Sequence, residues 1–512
     1  MMMNRLIKVG TLAVITLMAA CTELEEEPVG LLAPESFFKT VRDVETAVLG
    51  GYGIIASEAY YGRKLTTTLA LRGDMGDIGN RGTPARRIEV NDFIMDANNG
   101  MIEAFWPQMY EVVGAANAAV FGAESVRTPD LVPDEAAELD ALEAEARFIR
   151  AFTYYHLVRI FGDIPYVDDY FDEPEEIEGS FTINKTPAAE VYNNIIADFE
   201  YGAENLPDVP QARSRPGKGT ALAFLASVHL TLGNYQEAYD AAKQVIDQSA
   251  TFEYDLAGDY QDLFDAAQSG TLNETMFYID FLGATTDGDG RNTDWFGTMT
   301  GVRGGDPNGW GVIVPNFNVY ERWDERDYRK EVSMDDEFFL TEQGMVLPYD
   351  SFPNEKRPHI AKYNRFCGAS RGDCGQSDIN YHAMRYAEVL LTAAEALNEV
   401  AGPTAEALGY VNQVRARARQ TPIGLNEFPF DVEAGISQEA FRDLVLEERR
   451  LELSFEFGRW YDIKRRQLGS EAFGPDGLEP HSNFDPNRDY LMPLPAQELT
   501  RNENLGPQNP GY

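Results

Sequence analysis

The sequence is poor in the residues on which most catalytic and metal chemistry depends. It contains 3 cysteines and 5 histidines among 512 residues. The histidines are scattered, and the motifs HExxH, G-x-S-x-G, the Walker loop and the dinucleotide fingerprint do not occur. Aspartate and glutamate are abundant enough to leave a glycosidase-like carboxylate pair open, but no spacing singles one out. The sequence therefore gives no pattern that indicates an enzyme.

Basic residues are also scarce. Lys and Arg total 43 against 84 Asp and Glu, which gives a net charge of −41. Such a surface repels nucleic acid and anionic lipid headgroups, so we expect no nucleic-acid partner. It also disfavours acidic polysaccharides, unless a local basic patch intervenes. We interpret the charge as a means of solubility in salty surroundings, where like charges are screened.

The apolar run at the N-terminus, from Val9 to Ala20, is too short to span a bilayer. It follows Arg5 and Lys8 and ends in LMAAC, which resembles the lipobox of bacterial lipoproteins. The pattern predicts a signal peptide over residues 1–20, lipidation of Cys21 and a polar tether over residues 21–35. An ordinary secretory signal, in which Cys21 is incidental, is the alternative.

The strongest helical pattern is LEAEARFIRAFTYYHLVRIFGDIPYV, residues 142–167. We expect this helix to begin near Asp134 and to end at Gly162, because Gly162 suits a helix terminus and Pro165 forbids continuation. It is apolar on more than one side, which indicates an internal helix of a stacked array. The predicted helix pairs are 104–122 with 135–161, 187–206 with 217–232, 232–246 with 386–399, and 404–419 with 437–466.

The third pair has the Gly233, Tyr235 and Ala238 spacing of a tetratricopeptide turn, but its second helix is displaced by a long insertion, residues 250–381. The insertion is rich in glycine and contains MFYIDF, a plausible strand. The predicted fold class is therefore mostly α: a tetratricopeptide-like array of about four helix pairs with a loop-rich, partly β insertion.

Two local patterns in the insertion admit more than one interpretation. Asp287, Asp289 and Asp294 lie among glycines and partly resemble a calcium loop, but the bidentate glutamate is missing, so a solvated acidic loop is favoured over a structural calcium ion. Cys367 and Cys374 are separated by six residues, which favours a short disulfide, with two free thiols as the alternative. We expect no other cofactor or metal.

Four segments together resemble the SusD/RagB family: EARFIRAF with YYHLVRIFGDIP, the GWG…VYERWDERD run, LVLEERRLELSFEFGRWYDIKRR, and the C-terminal YLMPLPAQELTRNENLGPQNPGY. These are surface lipoproteins of Bacteroidetes-type bacteria that capture nutrients for an outer-membrane transporter. The resemblance implies an N-terminal helical region over 36–249, a ligand-binding insertion over 250–381 and a C-terminal helical region over 382–512. It also implies binding without hydrolysis, and a SusC-like TonB-dependent transporter that the protein covers like a hinged lid.

The candidate ligand residues are aromatic and polar side chains in glycine-rich stretches. Trp295 and Phe296 lie in a polar loop that is not an apolar periodic segment, so we predict that they form an exposed platform. Trp310 belongs to the GWG pattern and is expected to be partly structural, whereas Trp106 is expected in the core. From the N-terminal loops, the resemblance adds Tyr60, Tyr61, Arg72, Asp74, Asp77 and Asn80.

Three functions remain open. The favoured hypothesis is a surface-exposed glycan-binding lipoprotein of the outer membrane, because aromatic rings stack on sugar rings while polar groups bind hydroxyls. The second is a peptide-binding lipoprotein of the RagB type, which needs fewer flat aromatic surfaces. The third is a tetratricopeptide scaffold for proteins, which does not need the aromatic insertion.

Overall fold

The computed structural model describes residues 37–171, 178–283, 294–306, 308–340, 344–368 and 377–512. The signal peptide, Cys21 and the tether lie outside these residues, as do Asp287, Asp289 and Cys374. Within the part of the chain that is described, no helix combines the length and the apolar character needed to cross a bilayer.

The helices and strands are numbered here in chain order. The N-terminal region contains α1 Val41–Ile55, α2 Lys64–Arg72, β1 Gly76–Ile78, α3 Ala85–Asn91, α4 Ile102–Val126, α5 Pro133–Phe161, α6 Ala188–Asn205, α7 Lys218–Leu232, α8 Tyr235–Asp247 and α9 Ser249–Phe252, with a π-helical turn at Glu58–Gly62. The insertion contains β2 Thr275–Ile279, α10 Phe296–Thr300, β3 Ile313–Pro315, α11 Phe317–Arg322, α12 Tyr328–Ser333, β4 Met334–Asp335, β5 Glu337–Leu340, β6 Met345–Pro348, β7 His359–Ile360 and β8 Tyr381–Arg385. The C-terminal region contains α13 Tyr386–Ala401, α14 Ala405–Ala418, β9 Gln420–Thr421, β10 Gly424–Leu425, α15 Gln438–Glu452, α16 Arg459–Arg465, α17 Gly469–Ala472 and α18 Ala496–Arg501.

Helix α5 is the internal helix that its sequence predicts. It packs against α1, α4 and α6, and its last four turns are almost wholly buried. Phe148 alone contacts the rings of Phe199, Phe224 and Phe277 at centroid distances of 5.2 to 5.4 Å. Gly162 ends the helix with a φ of 78°, a conformation that glycine adopts without strain.

The displaced third helix pair is confirmed. Helix α8 packs against α13, although the insertion separates them in sequence. Ala238 of α8, Ala396 of α13 and Leu230 of α7 form one buried cluster, in which the small side chains let the helices approach closely. Trp106 is also confirmed as a core residue, since only 4% of its surface is exposed.

The predicted single helix over 437–466 is wrong. The structure divides it into α15 and α16, with Phe455 and Phe457 between them in left-handed conformations of φ 63° and 69°. The break turns Glu456 inward, where it accepts hydrogen bonds from Arg385 Nε and Lys362 Nζ at 2.7 Å each. Tertiary ion pairs therefore override a sequence that favours an unbroken helix.

The described strands form antiparallel two-stranded pieces: β1 with β3, β2 with β8, β4 with β7, β5 with β6, and β9 with β10. The predicted strand MFYIDF corresponds to β2. Its pairing with β8, in register Tyr278↔His382, joins the two ends of the insertion beside the helical array. The pairing of β1 with β3 fastens the middle of the insertion to the N-terminal loops.

A buried ionic network connects the insertion to the C-terminal helices. Glu274, directly before β2, and Glu452, the last residue of α15, are both fully buried. Glu452 accepts hydrogen bonds from Arg385 Nη1 at 2.9 Å, from Arg329 Nη1 at 3.2 Å and from Arg417. Glu274 accepts from Arg385 and Arg417 at 2.5 Å each. Burial alone raises the pKa of Glu452, but the guanidinium groups of Arg417, Arg385 and Arg329 hold this pKa well below its usual range.

We predict that Glu452→Ala lowers the free energy of unfolding by about 3–5 kcal/mol, because it leaves buried guanidinium groups without their carboxylate. Chemical denaturation of the two proteins at pH 7 measures the difference. The matched control is Glu439→Ala, at an exposed position in the first turn of the same helix. Equal losses in the two variants would show that the network contributes little to stability.

Candidate functional site

Two tryptophans of the insertion form a stacked pair. The ring centroids of Trp295 and Trp310 are 5.4 Å apart, the ring planes meet at 26°, and both side chains are half-buried. The backbone N–H of Trp295 donates to the Gly62 carbonyl at 2.8 Å, and that of Trp310 donates to Thr298 at the same distance. The pair, called here the tryptophan platform, thus lies where the insertion meets the N-terminal loops.

The glycines of the GWG motif bring Trp310 into this position. A Cβ on Gly309 would lie 2.3 Å from the Cα of Gly301, so only glycine permits this close approach of two backbones. Gly311 has a φ of 58°, and its carbonyl lies against Gly79. The tight crossing fixes the chain on both sides of Trp310.

Asp294 holds the start of α10 and thereby sets the direction of Trp295. Its buried carboxylate accepts hydrogen bonds from the backbone N–H of Phe296 at 2.7 Å and of Gly297 at 3.2 Å. The hydroxyl groups of Ser377 and Tyr381 donate to the same carboxylate. The expectation that Asp294 belongs to a solvated acidic loop is therefore wrong, since it is a buried helix cap. Among the residues that are described, no group of three or more His, Cys, Asp or Glu side chains is arranged to hold a metal ion.

Phe296 is not part of an exposed platform, and this prediction is wrong. Its side chain is fully buried and meets the rings of Tyr363 and Phe457 at centroid distances of 4.9 Å each. Trp295 and Phe296 are neighbours at the start of α10, yet Trp295 is half-buried and Phe296 is fully buried.

The tyrosines of the N-terminal loops are also core residues. Tyr60 is fully buried and Tyr61 is 3% exposed. The Tyr61 hydroxyl is 2.8 Å from Nε2 of His156 on α5, and the Tyr61 ring stacks on Phe152. The π-helical turn directs both rings inward, so neither is available to a ligand.

Arg72 and Asp74 have structural partners instead of a ligand. Arg72 is fully buried, donates to Asp489 at 3.0 Å and lies over the ring of Phe93. The buried Asp74 carboxylate accepts two hydrogen bonds of 2.7 Å from Arg459. Both residues fasten the N-terminal loops to the C-terminal region, so their assignment to the ligand face is wrong.

Asp77 and Asn80 lie near the tryptophan platform. Strand β1 carries Asp77 and pairs with β3, and Gly79 donates to the carbonyl of Val312, two residues beyond Trp310. Both side chains are half-buried. The Asp77 carboxylate is bound by Arg357 at 2.6 Å, and the Asn80 side chain accepts from the backbone of Gly82. Of the predicted residues, the structure brings together Trp295, Trp310, Asp77 and Asn80.

The sequence-based prediction missed Arg63. Its guanidinium carbon lies 5.7 Å from the centroid of the Trp295 ring, and its side chain is 16% exposed. It forms an ion pair with Glu58. The signal was present in the sequence, because Gly62-Arg63-Lys64 follows the two tyrosines in a chain where basic residues are scarce.

Cys367 is buried, and its carbonyl accepts a 2.9 Å hydrogen bond from the backbone N–H of Asp378. Since Cys374 lies outside the described residues, the Cys367–Cys374 disulfide stays a prediction.

Two family models match the chain. The model of the SusD family matches residues 238–512, and a second model, described as "starch-binding associating with outer membrane", matches residues 40–230. "SusD-like protein P2" from Formosa agariphila is 48% identical over 99% of both chains. The chain belongs to the SusD family. A second SusD-like protein of that organism, P25, is 28% identical over 95% of both chains.

Solved structures of the SusD fold agree with the architecture. A SusD homologue from Bacteroides thetaiotaomicron superposes with a TM-score of 0.81, at 22% identity over 94% of this chain and 98% of its own. A protein described as a laminarin-binding SusD-like protein gives 0.74 at 22% identity, over 93% and 100% of the two chains. Surface glycan-binding protein A from Bacteroides fluxus gives 0.75 at 21% identity, also over 93% and 100%. The helical-pair array with a partly β insertion is thus the SusD fold.

Because Phe296 is fully buried and Trp295 is half-buried, their substitutions should lower stability by different amounts. Phe296→Ala should lower the free energy of unfolding by about 3–5 kcal/mol, because it leaves a cavity among three aromatic rings. Trp295→Ala should cost about 1 kcal/mol, the value of one lost ring–ring contact. Thermal and chemical unfolding of the two variants measures both quantities. A larger loss for Trp295→Ala than for Phe296→Ala would contradict this description of α10.

Proposed function

We propose that this protein is a surface lipoprotein that binds an oligo- or polysaccharide through the tryptophan platform and delivers it to a SusC-like TonB-dependent outer-membrane transporter. It does so without catalysis, as a lid over the transporter. The observation that carries the proposal is the stacked, half-buried pair Trp295–Trp310. The SusD-family relationship and the glycan-binding names of two structural neighbours support it.

The chemistry of the platform suits a sugar. An aromatic ring offers an apolar face to the C–H groups of a pyranose, and adjacent polar groups bind its hydroxyls. Arg63, whose guanidinium lies over the Trp295 ring, and the half-buried Asn80 of the adjacent N-terminal loop supply polar groups of this kind. The backbone hydrogen bond from Trp295 to Gly62 and the glycine crossing at Trp310 hold the rings in place before a ligand arrives. Such preorganisation lowers the entropic cost of binding.

The platform supplies a direct test. Trp295→Ala should weaken glycan binding about tenfold or more, because a lost stacking ring costs about 1–3 kcal/mol by analogy with base–aromatic stacking. A panel of polysaccharides first identifies a glycan that the wild type binds. Isothermal titration calorimetry with that glycan then measures the change in dissociation constant.

The matched control is Trp323→Phe, since Trp323 is a buried tryptophan of the same insertion that is not part of the platform. Its glycan affinity should stay within about twofold of the wild-type value. The panel includes oligopeptides, and binding of peptides without any glycan would favour the RagB-type alternative. Unchanged glycan affinity in Trp295→Ala would remove the platform from the ligand site.

The proposed anchor has its own test, which rests on the LMAAC sequence and the acidic tether that follows. Cys21→Ala removes the thiol that carries the lipid, so the variant should move from the membrane pellet to the soluble fraction in detergent-free fractionation. The strain should lack the neighbouring transporter, so that the transporter does not retain the protein. A Cys367→Ala variant is the control and should stay in the pellet. Retention of Cys21→Ala in the pellet would show that another anchor exists.

A further inference from the structure

Beside the tryptophan platform lies a cluster of four cations that has a single carboxylate, Glu58, at ion-pair distance among the described residues. Arg63 lies between the π-helical turn and α2, Lys64 is the first residue of α2, and Arg86 and Arg87 lie in the first turn of α3. All four belong to a chain with nearly twice as many acidic as basic residues. We call these residues the cation cluster.

The cation cluster has too few carboxylates around it. Glu58 pairs with Arg63 and lies 3.9 Å from Lys64. Among the residues that the structure describes, neither Arg86 nor Arg87 has a carboxylate within ion-pair distance. Arg87 is 6% exposed and donates only to the hydroxyl of Thr83 at 2.8 Å. Nε of Arg63 and Nε of Arg86 are buried without a partner among these residues.

The positive charges of the cation cluster repel one another, as the lowered pKa values of Lys64 and Arg87 indicate. Burial, together with the charges of Arg63 and Arg86, lowers the pKa of Lys64 to about 8. Burial and the same two arginines lower the pKa of Arg87 to about 10. Like charges at this density destabilise the folded chain when no counter-charge is present.

Among the described residues, most of the other buried arginines pair with a carboxylate, whereas Arg213 donates to backbone carbonyls only. Arg150 has Asp198 at 2.8 Å, and Arg385 has Glu274 at 2.5 Å. Arg329 has Asp327 at 2.8 Å. A cluster left with one carboxylate, in a protein with 84 acidic residues, therefore differs from the structural ion pairs. Its place is also informative, since Arg63 belongs to the cluster and its guanidinium lies over the Trp295 ring.

We propose that the ligand is an anionic glycan, and that the cation cluster binds its carboxylate or sulfate group while the tryptophan platform stacks on an adjacent sugar ring. This inference rests on the proposed glycan-binding function and names the ligand class. The anionic group supplies the counter-charge that the protein lacks here, through charge-assisted hydrogen bonds from guanidinium and ammonium groups. The overall negative charge then repels such polymers everywhere except at this patch, which gives the ligand one orientation.

Matched pairs of glycans test the ligand class. The first pair is oligogalacturonate and its neutral methyl ester, and the second is sulfated and desulfated carrageenan oligosaccharide. Calorimetry at 50 mM salt should show at least about tenfold tighter binding of an acidic form than of its neutral partner, with affinity falling as salt rises. The two pairs distinguish a carboxylate ligand from a sulfate ligand. Binding of neutral glycans that equals or exceeds binding of both acidic forms would overturn the inference and leave the proposed function standing.

Variants of the cation cluster then test whether it binds the anionic group. The double variant Lys64→Gln/Arg86→Gln removes the two cations of the cluster that interact least with the rest of the protein. It should weaken binding of the acidic glycan about tenfold to hundredfold. The control is Lys218→Gln/Lys243→Gln, which removes the same charge from helices α7 and α8 of the array. The control should keep wild-type affinity. If Trp295→Ala loses binding and Lys64→Gln/Arg86→Gln does not, the inference fails alone, whereas retention of binding in all variants removes the proposed site as well.

A ligand-independent measurement covers the case in which no glycan of the panel binds. Sodium sulfate and sodium galacturonate should raise the melting temperature of the wild type more than sodium chloride does at equal ionic strength. The excess should vanish in Lys64→Gln/Arg86→Gln and persist in the lysine control. Identical melting curves in the three salts would show that the cluster takes no anion.

Discussion

The buried pairing of carboxylates and guanidinium groups around Glu452 is the constraint on which the rest of the structure depends. Its arginines come from the insertion, from β8 and from α14, so a single glutamate at the end of α15 coordinates three otherwise separate parts of the chain. Charges of this kind are tolerated in a core only with complete partners, which leaves few alternative arrangements. The position of β8 then fixes Tyr381, whose hydroxyl binds Asp294, and Asp294 directs Trp295 toward the surface. Global ionic pairing and local site geometry are thus one connected system.

The helical array was predictable because its signals are local. The periodic apolar faces of α5 and the glycine at its end determine an internal helix without any knowledge of its neighbours. The tetratricopeptide spacing even indicated that α8 lacked its partner until residue 386. The break between α15 and α16 was not predictable in this way. Gly458 lies directly before α16, but the left-handed turn already includes Phe455, and the partners that hold Glu456 inward, Arg385 and Lys362, are distant in sequence.

The difference between local and distant interactions also explains which residues of the candidate site could be predicted. Trp295 stands in polar, glycine-rich sequence, and it is half-buried, in contrast to the fully buried Phe296 beside it. Arg72 and Asp74 have a similar context, but their partners Asp489 and Arg459 lie 417 and 385 positions away, so nothing nearby revealed their burial. Phe296 was misassigned because it follows Trp295 directly in sequence, although the two side chains differ in burial at the start of α10. The position of Arg63 beside Trp295 could not be predicted, because it depends on the π-helical turn that brings residue 63 to the insertion.

The interruption between α8 and α13 has a consequence for the order in which the molecule is assembled. Ribosomes deliver the chain from its N-terminus, so α8 is complete long before residues 386–401 exist to cover it. Until then Ala238, Ala241, Ala242 and Val245 lack one of the helices that bury them in the complete structure. Closing a loop of this length costs only slightly more entropy than closing a short one, so the delay is a matter of time and not of final stability. Chaperones that bind apolar helix faces would therefore find these side chains uncovered until residues 386–401 arrive.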